Sequence, residues 1–539
     1  MHGSRRRQEP RPRPRGRRLI ATAVAIIAAA AGAATLAGTR GAEVTRAAGG
    51  GSGLLRLHAV LGRHEVIRDS AGRQILLRGI NVSGLSDLYQ VNPSLPTTVP
   101  LRSSDYAQLS RLGFNVVRLV VSWSKLEPNR GEFNENYVDR IRQAVDWGGE
   151  HGIYTVIDMH QDGWGKYVAT PPGTQCPDGW HARQGWDGAP EWATILDGET
   201  TCRPREVLNK RTPAELQAFK NFWLDTDGIQ TELVHTWRQL AAAFADDPAV
   251  AGFDLMNEPD PGNAGPPGQT NLLGRFYRHS ITAIRHGEAD GGGFRHMILF
   301  EPSLLWWRGA PAKHSAPPGF TDDRDVVFAP HVYGGAIAAH PHGLRWTLRR
   351  TKDELRNGAR RGRRYGTPVW IGEWGWFGNP RENKPKIAEF ARLQDARIWG
   401  GVWWQWKKGC GDPTNFSGPD DQTPASPSGN LAPYKCPEGT RLPTPPSIKR
   451  ILERSYPRAA PGRITRLHSD WSSGDFQFTG VDGSRQGSCK LELWVPSRDH
   501  RRPSVHGTGL RRIHRERVGG GWSVTACASG HYTITGGYR

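Results

Sequence analysis

Between residues 66 and 406 the chain alternates short, apolar, β-rich runs with longer stretches of helical periodicity. The segment 66–82, V-I-R-D-S-A-G-R-Q-I-L-L-R-G-I-N-V, reads as a hairpin turning on D-S-A-G, its second half being the first strand of a series. Further strands are expected at 116–121, 154–159, 250–255, 297–300, 326–328, 368–371 and 401–406, with helices at 104–112, 135–151, 213–244, 272–286, 344–356 and 384–399. Eight strands with helices between them are the count of a (β/α)8 TIM barrel, so the fold class is α/β. In that fold the chemistry sits at the C-terminal ends of the strands.

Charged and aromatic residues gather at those ends. The fourth run, F-D-L-M-N-E-P (253–259), stops at Asn257, Glu258 and Pro259, and the seventh, V-W-I-G-E-W-G (369–375), ends at Glu373. The second carries Arg118 and leads to Ser122-Trp123; the third runs into Asp158, His160, Gln161 and Asp162. From the sixth come His331 and Tyr333, and from the eighth Trp403, Trp404 and Lys407. Each alone has an ordinary reading: Glu258 as a helix-capping acid, Arg118 as a paired cation inside the barrel, His331 as a core histidine. Their gathering on one face points to paired carboxylates, which cleave glycosidic bonds. The 21 Trp residues fit that chemistry by stacking on sugar rings, or else fill space beneath the loops.

The length of 539 residues accommodates a barrel with one appended domain. We divide it into an export signal or membrane anchor with its linker (1–53), the catalytic barrel (54–456) and a C-terminal domain (457–539). Residues 1–18 hold eight Arg and one acid, and an alanine-rich apolar run follows at 19–38; together they read as an export signal, with cleavage points near Ala34, Ala37 and Ala47. The run is also about long enough to span a bilayer, so an uncleaved anchor is the alternative. Either way the protein is expected outside the cell or on its surface. The six cysteines, Cys176, Cys202, Cys410, Cys436, Cys489 and Cys527, form three sequence neighbourhoods. In an exported chain an even count reads as disulfides, with nearest neighbours paired among the 15 possible connectivities. None shows the C-x-x-C spacing of a zinc site.

The net charge of +19 is unevenly placed: residues 455–539 carry thirteen basic and six acidic side chains, and the leader most of the remaining excess, leaving +5 between. That distribution argues against a nucleic-acid-binding core and for contact of the tail with an anionic envelope or membrane, unless the tail is merely a solvated basic surface. Two long insertions, 163–212 and 408–444, each hold a cysteine pair and are expected to wall a cleft. From 457 onward helical periodicity gives way to alternating runs such as D-F-Q-F-T and C-K-L-E-L-W-V, the pattern of a small antiparallel β-sandwich.

With these residues in place the chain resembles glycoside hydrolase family 5 and, within it, the actinobacterial endoglycoceramidases. The resemblance spans about residues 60–455 and rests on L-R-G-I-N-V-S-G (77–84), N-V-V-R-L-V-V-S-W (115–123), D-M-H-Q-D (158–162), G-A-P-E-W-A-T (188–194), F-K-N-F-W (219–223), F-D-L-M-N-E-P (253–259), P-H-V-Y (330–333) and G-E-W-G (372–375). It implies Glu258 as acid/base and Glu373 as nucleophile, with Asn257 on the 2-hydroxyl of the sugar and His331 and Tyr333 orienting the two carboxylates. His160, Asp162, Trp192 and Trp404 would line the sugar subsites, and Arg118 would support the charge of Glu373. Two segments depart from the family pattern: S-D-L-Y-Q (86–90) lacks a sugar-contacting lysine, and W-W-Q-W-K-K-G-C (403–410) is bulkier than is common. Double displacement by two glutamates retains configuration and needs no metal or organic cofactor. The substrate expected is a glycolipid, split between glycan and ceramide-like aglycone by a monomeric enzyme. A β-glucanase, β-mannanase or β-glucosidase uses the same machinery, and a carbohydrate-binding protein on an inactive barrel is the reading from another class. A lipid aglycone calls for an exposed apolar path, for which Trp180, Trp186, Trp192, Leu304, Trp306, Trp307, Trp376 and Phe377 are candidates.

Overall fold

The computed structural model describes residues 53–204, 211–265, 268–306, 311–335, 343–425, 429–483, 488–499 and 501–538. The expected export segment up to residue 52, and Trp307, lie outside them. Eight barrel positions follow in chain order: Arg78–Val82, Val116–Ser122, Tyr154–His160, Val250–Asp254, Met297–Phe300, Val326–Phe328 continued by His331–Val332, Trp370–Trp374 and Gly400–Trp403. Each pairs in parallel with the next, and the eighth returns to the first through Gly401 and Arg78. Val116–Ser122 and Tyr154–His160 are buried at every position, as expected of strands covered on both faces. The sixth strand is longer than the sequence pattern suggested but broken, because Pro330 has no N–H to give to the ladder. Beyond the break His331 comes into register with Glu373 on the seventh strand.

Each expected helix is present, but Gly268–Asp290 and Leu344–Tyr365 run longer than the periodicity places them and Pro380–Asp395 lies four residues earlier. The segment 213–244 is two helices, Pro213–Trp223 and Ile229–Ala243. Between them Asp225, Asp227 and Gly228 adopt positive φ values of 55°, 51° and 71°, a left-handed stretch that no α-helix can run through. Asp225 then accepts hydrogen bonds from the N–H groups of Gln230 and Thr231, capping the second helix.

The base of the barrel is closed by the N-terminal hairpin, Leu57–Val60 with Val66–Asp69. Leu57, Ile67 and Ile75 pack among the inward residues Val116, Val156, Leu299, Val327 and Val402. The hairpin does not run straight into the barrel. Gln74–Ile75 pairs antiparallel with Val66–Asp69, as the D-S-A-G turn predicts, and on its other edge with Ala459–Ala460; only at Arg78 does the chain enter the first barrel strand. The C-terminal region is one connected antiparallel sheet that takes in this hairpin. Its last strand, Gly521–Gly537, bonds to Ser488–Pro496 through its first half and to Phe476–Asp482 through its second, changing partner around Gly530 at φ 56°. All six cysteines pair with their sequence neighbours: Cys176–Cys202, Cys410–Cys436 and Cys489–Cys527. The first two staple the long insertions, which are joined where the Gln184 amide donates to the Pro413 carbonyl. Among the described residues no helix is long and apolar enough to cross a membrane.

Candidate active site

An arginine inside an all-apolar parallel strand survives only if its charge is met, and Arg118 is met from four strands. Its guanidinium reaches Asp158 (2.8 Å), Asp254 (2.8 Å), Glu301 (2.8 Å) and Glu373 (3.0 Å), and donates to the side-chain oxygen of Asn257 at 3.1 Å. Burial opposes its charge, but the surrounding carboxylates outweigh it and hold Arg118 protonated well above its ordinary range. Removing one partner of such a buried pair costs about 3–5 kcal/mol, so this cluster has little freedom to rearrange.

The fourth strand ends at Asp254, and the chain continues as an irregular segment that brings Asn257 and Glu258 over the barrel mouth. Met159 accepts the Asn257 N–H, while the Gln161 amide donates to the carbonyls of both Asn257 and Glu258. Glu258 itself takes φ 38°, a left-handed value that is costly for a residue with a side chain. Its N–H is fixed by Glu301 at 2.9 Å.

Glu258, His331 and Glu373 each bring a polar atom within 4.8 Å of the others. His331 Nδ1 lies 3.0 Å from Glu258 and 3.5 Å from Glu373, and its Nε2 lies 3.0 Å from Glu301. The Tyr333 hydroxyl donates to Glu373 Oε2 at 2.6 Å, opposite the oxygen held by Arg118. Burial pushes the Glu373 carboxyl up; His331 and Arg118 pull it down, and Glu258 adds to the rise. Burial and the neighbouring carboxylates of Glu373 and Glu258 push the Tyr333 phenol far above its usual range, so it remains a hydrogen-bond donor.

Beside this centre His160 stacks on Trp404 with ring centroids 5.5 Å apart. Its Nδ1 contacts Asp158 at 2.7 Å, and it shares a second cluster with Asp162 and Asp187. Burial works against its charge, yet Asp158 and Asp187 raise it to about 9. The structure thus brings Arg118, His160, Asn257, Glu258, His331, Tyr333, Glu373 and Trp404 into one linked group, with Asp162 on its edge. Trp192 is placed differently: its indole packs edge-on to Trp123 and donates to the Glu127 carbonyl. In the first-strand loop, where a lysine was missed, Asp87 is met by Lys166 at 2.8 Å, a cation supplied by the third-strand insertion.

Among the described residues the expected exposed aromatic path is only partly present, and Leu304 beside it is half-buried. Trp186, Trp306 and Trp376 are buried beneath the loops, whereas Trp180, Trp192 and Phe377 keep partial exposure and Phe377 stacks on Tyr333. An indole offers more apolar surface than any other side chain, and packing under a long insertion removes it from water. Two carboxylates of the centre, Glu301 and Asp254, were not singled out from the sequence. The signal for Glu301 was present: F-E-P at 300–302 repeats the acid-proline ending of N-E-P at 257–259.

Acids converge from several strand ends of a (β/α)8 barrel, three of them within 3.5 Å of one imidazole, the arrangement expected of a glycoside hydrolase. The chain belongs to glycosyl hydrolase family 5, whose cellulase model matches residues 69–409. It is 28% identical over 429 residues to endoglycoceramidase I of Rhodococcus hoagii (strain 103S), a match covering 76% of this chain and 74% of that protein. Among solved structures it is similar to an endogalactoceramidase, at 40% identity and a TM-score of 0.79, over 89% of this chain and all of that one. The fold is also that of endo-glycoceramidase II from Rhodococcus sp., at 24% identity and a TM-score of 0.68 over 89% of this chain and 100% of the other.

Proposed function

We propose that this enzyme is a retaining β-glycosidase that cuts the bond between the glycan and the lipid of a glycolipid, releasing the glycan from a ceramide-like aglycone. The observation that carries the reading is the approach of Glu258 and Glu373, one oxygen of each lying within 4.8 Å of the other, nearer the short separation of a nucleophile and acid/base pair than the wide one of an inverting pair. Glu373 attacks the anomeric carbon while Glu258 gives its proton to the departing oxygen, forming a glycosyl ester on Glu373. Glu258 then takes a proton from water, the hydroxide oxygen bonds to the anomeric carbon, and Glu373 leaves as a carboxylate. Arg118 and Tyr333 each hold one oxygen of the nucleophile. Asn257 spends its amide oxygen on Arg118 and one N–H on the Gln161 carbonyl, which leaves the other N–H for the sugar 2-hydroxyl. His160, Asp162 and Trp404 form a polar and aromatic wall suited to the sugar ring.

The substrate class draws its support from the endoglycoceramidase and endogalactoceramidase relatives, and the identity of 40% to the latter makes a β-galactosyl linkage the first to test. Export is supported by the complete pairing of six cysteines. Contact with an anionic membrane has a second source beyond the tail. The helix Leu344–Tyr365 carries nine basic residues against two acids. Of these, Arg345, Arg349, Lys352, Arg356, Arg360 and Arg363 recur every three or four residues on its exposed face. Incubation with β-galactosyl- and β-glucosylceramide-based glycolipids and with soluble β-glucans tests the reading. An intact oligosaccharide and free ceramide are expected; equal or faster attack on the glucans would move the assignment to a β-glucanase, β-mannanase or β-glucosidase.

A further inference from the structure

We propose that Glu301, at the end of the fifth barrel strand, is a positioning residue for the acid/base carboxyl, holding Glu258 by two routes: its peptide N–H and the imidazole of His331. The inference rests on the assignment of Glu258 and Glu373 made above.

Glu301 divides its two oxygens between the routes. Oε2 accepts the N–H of Glu258 at 2.9 Å, fixing the backbone from which the acid projects. Oε1 stands 3.0 Å from His331 Nε2 and 2.8 Å from Arg118 Nη2. The other nitrogen of His331 is 3.0 Å from Glu258 Oε1. Carboxylate, imidazole and carboxyl therefore form a chain in which the outer acid dictates what the inner one meets. Nε2 faces the Glu301 carboxylate at ion-pair distance, an electrostatic contact without hydrogen-bond alignment, and Nδ1 is turned toward Glu258. On one side the ring is backed by the seventh strand, where a Cβ at Gly372 would come within 3.0 Å of Nε2.

The charge on His331 depends on the same residue. Burial opposes it, and Glu301 and Glu373 more than restore it. The groups facing the imidazole are Glu258 from the fourth-strand segment, Glu301 from the fifth strand and Glu373 from the seventh. Arg118 from the second strand reaches it only through the last two. A neutral side chain at 301 removes the closest anion on the Nε2 side and leaves the N–H of Glu258 without a charged acceptor. Glu301 lies at the foot of this arrangement, 1% exposed, so it positions Glu258 and does not touch substrate.

A purely structural Glu301, one more partner for Arg118, would affect all substrates alike. A residue that positions the acid matters only where the leaving group needs a proton. Glu301→Gln and Glu258→Gln are therefore compared with wild type on two glycosides of one sugar, an alkyl glycoside and a dinitrophenyl glycoside whose phenolate departs unaided. The readout is kcat/KM, which reports formation of the glycosyl-enzyme. General acid catalysis contributes about 10²–10⁴-fold, so Glu301→Gln should lose about 10- to 100-fold on the alkyl glycoside and at least ten times less on the dinitrophenyl one. Glu258→Gln should show the same selectivity, only larger. Selectivity in Glu258→Gln with equal losses on both substrates in Glu301→Gln would overturn the proposal. No selectivity in Glu258→Gln would overturn the assignment beneath it. Should Glu301→Gln fail to fold, Glu301→Asp keeps the charge but withdraws it from both contacts, and the same comparison decides.

Discussion

Replacing Tyr333 by Phe removes one hydroxyl and leaves its ring on Phe377. That hydroxyl donates to Glu373 at 2.6 Å inside a buried site, and a hydrogen bond to a charged group contributes about 1.5–3 kcal/mol. The bond favours the ionised carboxylate. Without it protonation of Glu373 becomes easier, by about 1–2 pH units at 1.36 kcal/mol each. Burial already raises this carboxyl against the opposing pull of His331 and Arg118, so the change adds to an existing rise. A nucleophile must be unprotonated, and the acidic limb of kcat/KM reports its titration in the free enzyme. Tyr333→Phe should therefore move that limb to higher pH by about 1–2 units, with a rate about 10- to 100-fold lower on the limb itself. Rates of an aryl glycoside from pH 4 to 9, with thermal melting as a control on folding, measure it. A limb that stays in place in a folded variant would refute either the role of the hydroxyl or Glu373 as the titrating nucleophile.

Glu373→Gly should abolish hydrolysis while preserving the fold, and added azide or formate should restore part of the turnover of an activated glycoside; absence of rescue in a folded variant would place the nucleophile elsewhere. Asp325 accepts the N–H of Ala59 at the base of the hairpin, and burial raises its carboxyl to about 6. Because that lies above the unfolded value of about 3.9, folding favours the protonated form, and this contribution is lost as pH rises from about 4 through 6. Asp325→Asn keeps the acceptor and never ionises, so it should melt with the wild type near pH 4 and above it at pH 8; equal melting at both would contradict the shift. Charge reversal at Arg349, Lys352 and Arg356 should weaken sedimentation with vesicles rich in anionic phospholipid at low salt, and unchanged binding would remove that helix from any membrane contact.

The barrel was legible because its signals are local and repeated. Apolar runs of strand length, separated by helical periodicity, leave few alternatives, and acids at the ends of such runs have few reasons to be there. Four features escaped. The break at 224–228 is written in L-D-T-D-G, but apolar residues continue at helical spacing on both sides, and periodicity carries across a short left-handed stretch. Glu301 escaped because its significance is relational. Only when the fifth strand lies beside the fourth does F-E-P come to face the N–H of Glu258 and the ring of His331. Exposure was another blind spot: a tryptophan near a cleft reads the same whether it lines the cleft or supports its wall, and Trp186, Trp306 and Trp376 support the wall. The basic helix at 344–365 was hidden by averaging, since acids elsewhere in the barrel bring the net charge of the middle of the chain close to neutrality.

The backbone at Glu258 offers a test in which stability and activity separate. At φ 38° a residue with a Cβ is in the left-handed region, which costs on the order of 1–2 kcal/mol relative to ordinary conformations, whereas glycine enters it freely. The structure holds the residue there through the Glu301 carboxylate on its N–H and the Gln161 amide on its carbonyl. Strain of this kind persists where neighbours over-determine the conformation and where the conformation serves the site. Glu258→Ala and Glu258→Gly both remove the carboxyl, so both should lose acid/base catalysis to the same extent. Their stabilities should differ. Glycine ordinarily destabilises a position relative to alanine, because the unfolded chain gains freedom; here relief of the left-handed strain outweighs that term. Glu258→Gly should therefore be more stable than Glu258→Ala by about 1 kcal/mol in denaturant unfolding. An alanine variant as stable as the glycine one would mean that the backbone is not strained at this residue, and that the acid is placed by its side-chain contacts alone.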